Sequence, residues 1–169
     1  MADPSNLPRP SALWKQLSSE RKLQAADAFW RDENAATEQA EAVALIAQRI
    51  KFRPKSVIAL SVEKKAKYLI SLPPVSEIVA ARLLVAYHLA NQRPMMAAFL
   101  DALGLKHEEG LIADEDVQPP PAETLKAAVA AIRQRFPGED VALYLSTLMW
   151  QDPDTWGGLA DLTQDAAKA

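Results

Sequence analysis

A chain of 169 residues that is 49% hydrophobic and 24% charged has enough apolar side chains to bury a sizeable core, which excludes wholesale disorder. It contains no cysteine, so disulfides, thiol catalysis, iron–sulfur clusters and cysteine-based zinc sites are excluded. The formal net charge of −3 speaks against nucleic acid or an anionic membrane as a partner of the surface as a whole.

Alanine is abundant and only five glycines occur, a balance that favours helix. Residues 1–10 hold three prolines and read as a loose arm without a basic-then-apolar leader pattern. Ser11 is placed to cap a short helix carrying Leu13, Trp14 and Leu17. Ser18 or Ser19 caps a second, with Leu23, Ala26, Phe29 and Trp30 on its apolar side. A third helix runs over 35–51 with Val43, Ile46 and Ile50 inward, acids near its start and Arg49 and Lys51 near its end, as the helix dipole prefers. Arg53-Pro54 breaks it. A short helix to Leu60 follows, then one opened by Ser61 and closed by Pro73-Pro74.

Residues 76–91 are apolar nearly all round, from Ile78 to Leu89, and predict a central helix packed on every side. This stretch is shorter than the roughly 20 residues a bilayer span needs. Pro94 opens a helix that Gly104 ends in a left-handed cap, with Leu105 placed for the accompanying apolar contact. An irregular acidic, proline-rich loop is expected over 105–121. Helices over 122–135 and 139–150 follow, then Trp156 outside any strong helix, and a frayed tail over 161–169. Val57-Ile58-Ala59-Leu60 is apolar but lacks alternation, and no strand signal is seen. The expected fold is all-α: a single domain over 11–160, built as an irregular orthogonal bundle of about eight helices around the 76–91 segment. Nothing in the composition argues against a reducing cytoplasm.

Motifs for chemistry are missing. The glycines match neither a dinucleotide fingerprint nor a phosphate loop, and no serine sits in a nucleophile elbow. His88 and His107 are too far apart for a zincin helix, and neither follows a glutamate by three residues. His107, Glu108 and Glu109 with Asp114, Glu115 and Asp116 form the densest set of oxygen and nitrogen donors, in a spacing that fits no calcium loop. No cofactor is implied. Arg82 on the central helix needs a partner; the structural reading is an internal ion pair, and the functional one a polar pocket for an anionic ligand lined by Arg82, Tyr87 and His88. Helical spacing resists that convergence, since positions 82 and 88 lie about 120° apart around the axis.

The charge is segregated. Seven cations (Arg49, Lys51, Arg53, Lys55, Lys64, Lys65 and Lys67) face a single acid, Glu63, over 49–67. Over 101–123 seven acids face Lys106 alone, and 139–165 holds six acids and no cation. Lys64 and Lys65 fall in the first turns of their helix, where cations are mildly unfavourable. Four readings compete: a solvated face, a docking surface for an acidic protein, a nucleic-acid backbone site, and head-to-tail self-association. The working reading is a non-enzymatic helical interaction module whose 49–67 surface, with Trp156 as a further anchor or else a lid on the core, contacts an acidic protein. Tyr68 and Phe52, the only aromatics nearby, suit the core equally well. The rivals are a small-molecule pocket and nucleic-acid binding.

Overall fold

The computed structural model describes residues 7–72 and 75–167. The fold is all-α and multi-helical, with one small hairpin among the described residues. By internal contacts the described chain divides into two compact units, residues 9–91 and residues 92–167, the latter with residues 7 and 8.

In the first unit, α1 (Pro10–Gln16) begins with proline at its first turn, where the missing N–H costs no hydrogen bond. Ser11 is therefore not the cap but lies inside the helix. Its backbone N–H (3.1 Å) and its hydroxyl both donate to the carboxylate of Glu77, which caps α1 from a helix 66 residues away. Helix α2 (Ser19–Arg31) is capped by Ser18, and its side chains Ala25, Ala26, Phe29 and Trp30 are buried. Helix α3 (Ala36–Ile50) ends at Lys51 in the left-handed region, and the Phe52 N–H then reaches the Ala47 carbonyl at 3.0 Å.

Helices α4 (Pro54–Ile58) and α5 (Val62–Ile70) follow, the latter capped by Ser61 as its sequence predicts. The Pro73-Pro74 break lies outside the described residues. Helix α6 (Glu77–Asn91) takes α1, α2 and α3 against it, and α2 also packs on α5. Val79, Ala80, Leu83, Leu84, Ala86, Tyr87 and His88 of α6 are buried. The all-round burial expected of this segment fails at its first turn, where Ile78 is 60% exposed next to Glu77. Seven buried positions and two exposed ends, Glu77–Ile78 and Ala90–Asn91, make α6 the spine of its unit rather than a fully enclosed rod.

In the second unit, α7 (Arg93–Leu103) packs on α8 (Ala122–Arg135), and α9 (Gly138–Gln151) packs on α8, α10 (Pro153–Trp156) and α11 (Ala160–Ala167). Phe99 centres the core: Tyr144 meets it edge-on at 5.7 Å and Trp156 lies 6.0 Å away. Gly104 closes α7 at φ 71° with the two bonds of a Schellman motif, Leu105 N–H to the Leu100 carbonyl and Gly104 N–H to that of Asp101.

Two expectations are corrected in this unit. The 105–121 stretch is not wholly irregular: β1 (His107–Glu108) pairs antiparallel with β2 (Leu111–Ile112). The two-residue connection has both φ angles positive, Glu109 at 49° and Gly110 at 91°, as a type I′ turn requires. Only two residues per strand leave no run long enough to show alternation. The segment read as a frayed tail is helical, as α11, through Ala167.

Candidate functional site

The basic stretch starts where α3 stops. Residues 42–62 contain no acid, and Arg49, Lys51, Arg53 and Lys55 fall within it. Lys51 to Ser56 are exposed without interruption, because the chain leaves α3 through the left-handed Lys51 and turns into α4 through the extended Arg53. Among the described residues, Arg49, Lys51, Arg53, Lys55 and Lys64 make no ion pair.

The remaining two cations of the set are engaged. Lys67 pairs with Glu63 one turn earlier at 3.2 Å, with both side chains exposed, an arrangement that contributes at most about 0.5 kcal/mol. Lys65 lies with its ammonium 4.9 Å over the Trp30 ring of α2, within cation–π range. That contact supplies a structural reason for a cation in the first turns of α5. The structure thus concentrates the open charge on residues 49–55, with Lys64 beside them in sequence on α5.

Ile58 is the residue that sequence reasoning passed over, and Phe52 the one it left open between the patch and the core. Phe52 is 46% exposed and Ile58 60% exposed, so Phe52 is a surface residue and not part of the core. The signal was present in both cases. Phe52 stands between two cations and just past a helix end, off any apolar stripe. Ile58 is one step of about 100° around α4 from Val57, which is buried, and a five-residue helix packed on one side turns the neighbouring position outward.

Trp156 is not an exposed anchor. It is 3% exposed, closing the core over Phe99, and the exposed-anchor alternative gives way to the lid. Asp152 holds it there by capping α10: its carboxylate accepts the Thr155 N–H at 3.2 Å and the Thr155 hydroxyl at 2.6 Å.

The Arg82, Tyr87 and His88 set is distributed. Arg82 turns to Asp32 at the end of α2, with Nε 3.3 Å from Oδ2 but not aligned as a hydrogen bond. Asp32 also accepts the Asn34 N–H at 2.9 Å, and the Gln39 amide donates to the carbonyls of Phe29 and Asp32. Arg82 thereby belongs to a polar joint that ties the α2 terminus to α3 and α6. Tyr87 and His88 are buried, with ring centres 5.8 Å apart.

The acidic cluster is likewise taken up by structure at its histidine. Gly110 N–H donates to His107 Nδ1 at 3.1 Å, so the ring proton sits on Nε2, which donates to Asp101 at 2.7 Å. Arg93 donates to the Glu109 carbonyl at 3.1 Å and lies 3.8 Å from its carboxylate. Among the described residues no three His, Asp or Glu side chains converge as a metal site, and no helix is long and apolar enough to cross a membrane. Compared with family models, with curated proteins and with solved structures, the chain matches none.

Proposed function

We propose that the protein is a helical interaction module that docks an acidic partner protein on the basic surface of residues 49–67. The observation that carries this reading is the run Arg49, Lys51, Arg53 and Lys55, exposed, free of nearby acids in sequence and unpaired among the described residues. Among the described residues their side chains make no hydrogen bond or ion pair, so their charge is not taken up within the fold. Clustered cations attract an oppositely charged surface over a Debye length of about 8 Å at physiological salt, which speeds and orients encounter. The chain's net charge of −3 makes this patch a local exception, suited to a partner that is addressed at one place. Polyanion binding by the whole surface would favour a basic protein. The absence of cysteine is compatible with a role in a reducing cytoplasm.

The test is a charge reversal, Lys51→Glu with Arg53→Glu and Lys55→Glu, in the full chain. Affinity capture followed by mass spectrometry is compared between this variant and the parent at two salt concentrations. The expected result is loss of a discrete, acidic protein whose retention by the parent falls with salt. Retention of the same proteins by both chains, or nucleic acid as the retained species, refutes the proposal.

A further inference from the structure

We infer that Phe52 and Ile58 are apolar anchors inside the cationic surface, and that its occupant is an acidic amphipathic protein segment, one that carries bulky apolar side chains among its carboxylates. This rests on the docking function proposed above and specifies the chemistry of the partner. Five large apolar side chains stand exposed among the described residues, and two of them, Phe52 and Ile58, lie in the ten-residue stretch 49–58 that also holds four cations.

Their exposure follows from the backbone. Phe52 occupies the second position beyond α3, where its N–H bonds back to Ala47. A side chain in that position frequently packs on the residue whose carbonyl its N–H meets or on the one before it, and Ile46, the one before, is itself fully buried. The residue it meets is an alanine, a single methyl group, which covers little of a phenyl ring and leaves it 46% in solvent. The Phe52 backbone is nonetheless held in a hydrogen-bonded turn, so no main-chain ordering is needed to present the ring. Ile58 ends α4, three positions after Lys55 on the same side of the helix, and Val57 takes the inward position. From Lys51 to Ile58 the chain spans at most about 16 Å, so the apolar and cationic groups are presented together.

A purely polyanionic occupant leaves Ile58 without a contact. An acidic segment with leucine-like side chains satisfies both chemistries: carboxylates meet Arg49, Lys51, Arg53 and Lys55, and the apolar groups meet Phe52 and Ile58. Apolar anchors set among charged groups are how protein interfaces concentrate their binding energy on a few residues.

The experiment uses the full chain and fluorescence anisotropy with two synthetic peptides of about 16 residues, both rich in glutamate and equal in charge. One carries leucines at helical i, i+3, i+4, i+7 spacing; the other has alanine at those positions. The expected result is at least a tenfold preference for the leucine peptide. The double variant Phe52→Ala with Ile58→Ala should abolish that preference yet retain salt-sensitive binding of the alanine peptide. Phe52→Ser with Ile58→Thr serves as a second variant, and both should fold cooperatively with a melting temperature only a few degrees below the parent's, since Phe52 is 46% and Ile58 60% exposed. If the anchor variants bind both peptides as the parent does, while Lys51→Glu with Arg53→Glu abolishes binding, the anchor assignment fails and the charge-based docking survives. If the charge reversal changes nothing, both fail. Tighter binding of a single-stranded oligonucleotide than of either peptide, or self-association in sedimentation that displaces the peptide, overturns the assignment of an acidic protein segment.

Discussion

The ammonium of Lys65 lies 4.9 Å over the indole of Trp30, joining the first turns of α5 to the last turn of α2. A cation at that end of a helix opposes the dipole by a few tenths of a kcal/mol, and a partly shielded cation–π contact contributes about 0.5–1 kcal/mol in return. The lysine stem also covers one face of the ring. Lys65→Ala should therefore destabilise the protein by about 0.5 kcal/mol or somewhat more, whereas Lys64→Ala, on the solvent side, loses no contact and should be neutral or stabilising by a few tenths. Urea denaturation of both variants checks this, and equal effects would show that the indole contact contributes nothing.

Lys51 sits at φ 59°, ψ 37°, a conformation in which a side chain crowds its own carbonyl. Gly104 holds the equivalent place at the end of α7 without that penalty. Lys51→Gly should raise stability by about 0.5–1 kcal/mol, seen as a higher urea midpoint at unchanged slope. The same variant removes one cation from the 49–55 run and should weaken the docking proposed above. A gain in stability paired with a loss in binding would mark the lysine as retained at the expense of the fold.

Much of the fold is legible in the sequence because it is local. Ser18 and Ser61 as caps, Gly104 as a stop, and the inward faces of α3 and α9 each follow from spacing within a few residues. What escapes is non-local. Ser11 is capped by Glu77 across 66 residues, and Lys65 answers to Trp30 on another helix. The hairpin at 107–112 depends on where Gly110 lies against α7 rather than on strand periodicity. The candidate surface was legible as charge but not as shape. Phe52 and Ile58 carry the apolar character of core residues, and their exposure decides what their places in the sequence only suggest.

Gly110 is fixed twice over. Its φ of 91° is a conformation that side chains rarely adopt, and a Cβ there would come 2.7 Å from Met96 Cβ and 3.1 Å from the Arg93 carbonyl. Its N–H is also the one that sets the His107 ring. Gly110→Ala should cost about 2 kcal/mol or more, by combining backbone strain with a contact against the body of α7. Hydrogen exchange should show early loss of protection across 107–112, with α9 unaffected until global unfolding. Parent-like exchange in the hairpin would mean that it can lift from α7 without cost.

Tyr144 is 3% exposed beside Phe99, and burial pushes its phenol above the ordinary value of 10.0, because an ionised oxygen would lose its hydration there. The unfolded chain releases this proton near pH 10 while the native protein keeps it, so above that pH the unfolded state binds fewer protons and stability falls as pH rises. One such group gives a limiting slope of about 1.4 kcal/mol per pH unit, and below pH 10 it gives none. Denaturation midpoints measured from pH 8 to about pH 11 should bend downward for the parent, on top of the background from lysine titration. Tyr144→Phe leaves that background and removes the Tyr144 contribution, so the two stability curves should diverge only on the alkaline side. Parallel curves throughout would mean that the phenol ionises as easily in the native protein as in the unfolded chain, which would require water to reach the Phe99–Tyr144 contact at the centre of this unit.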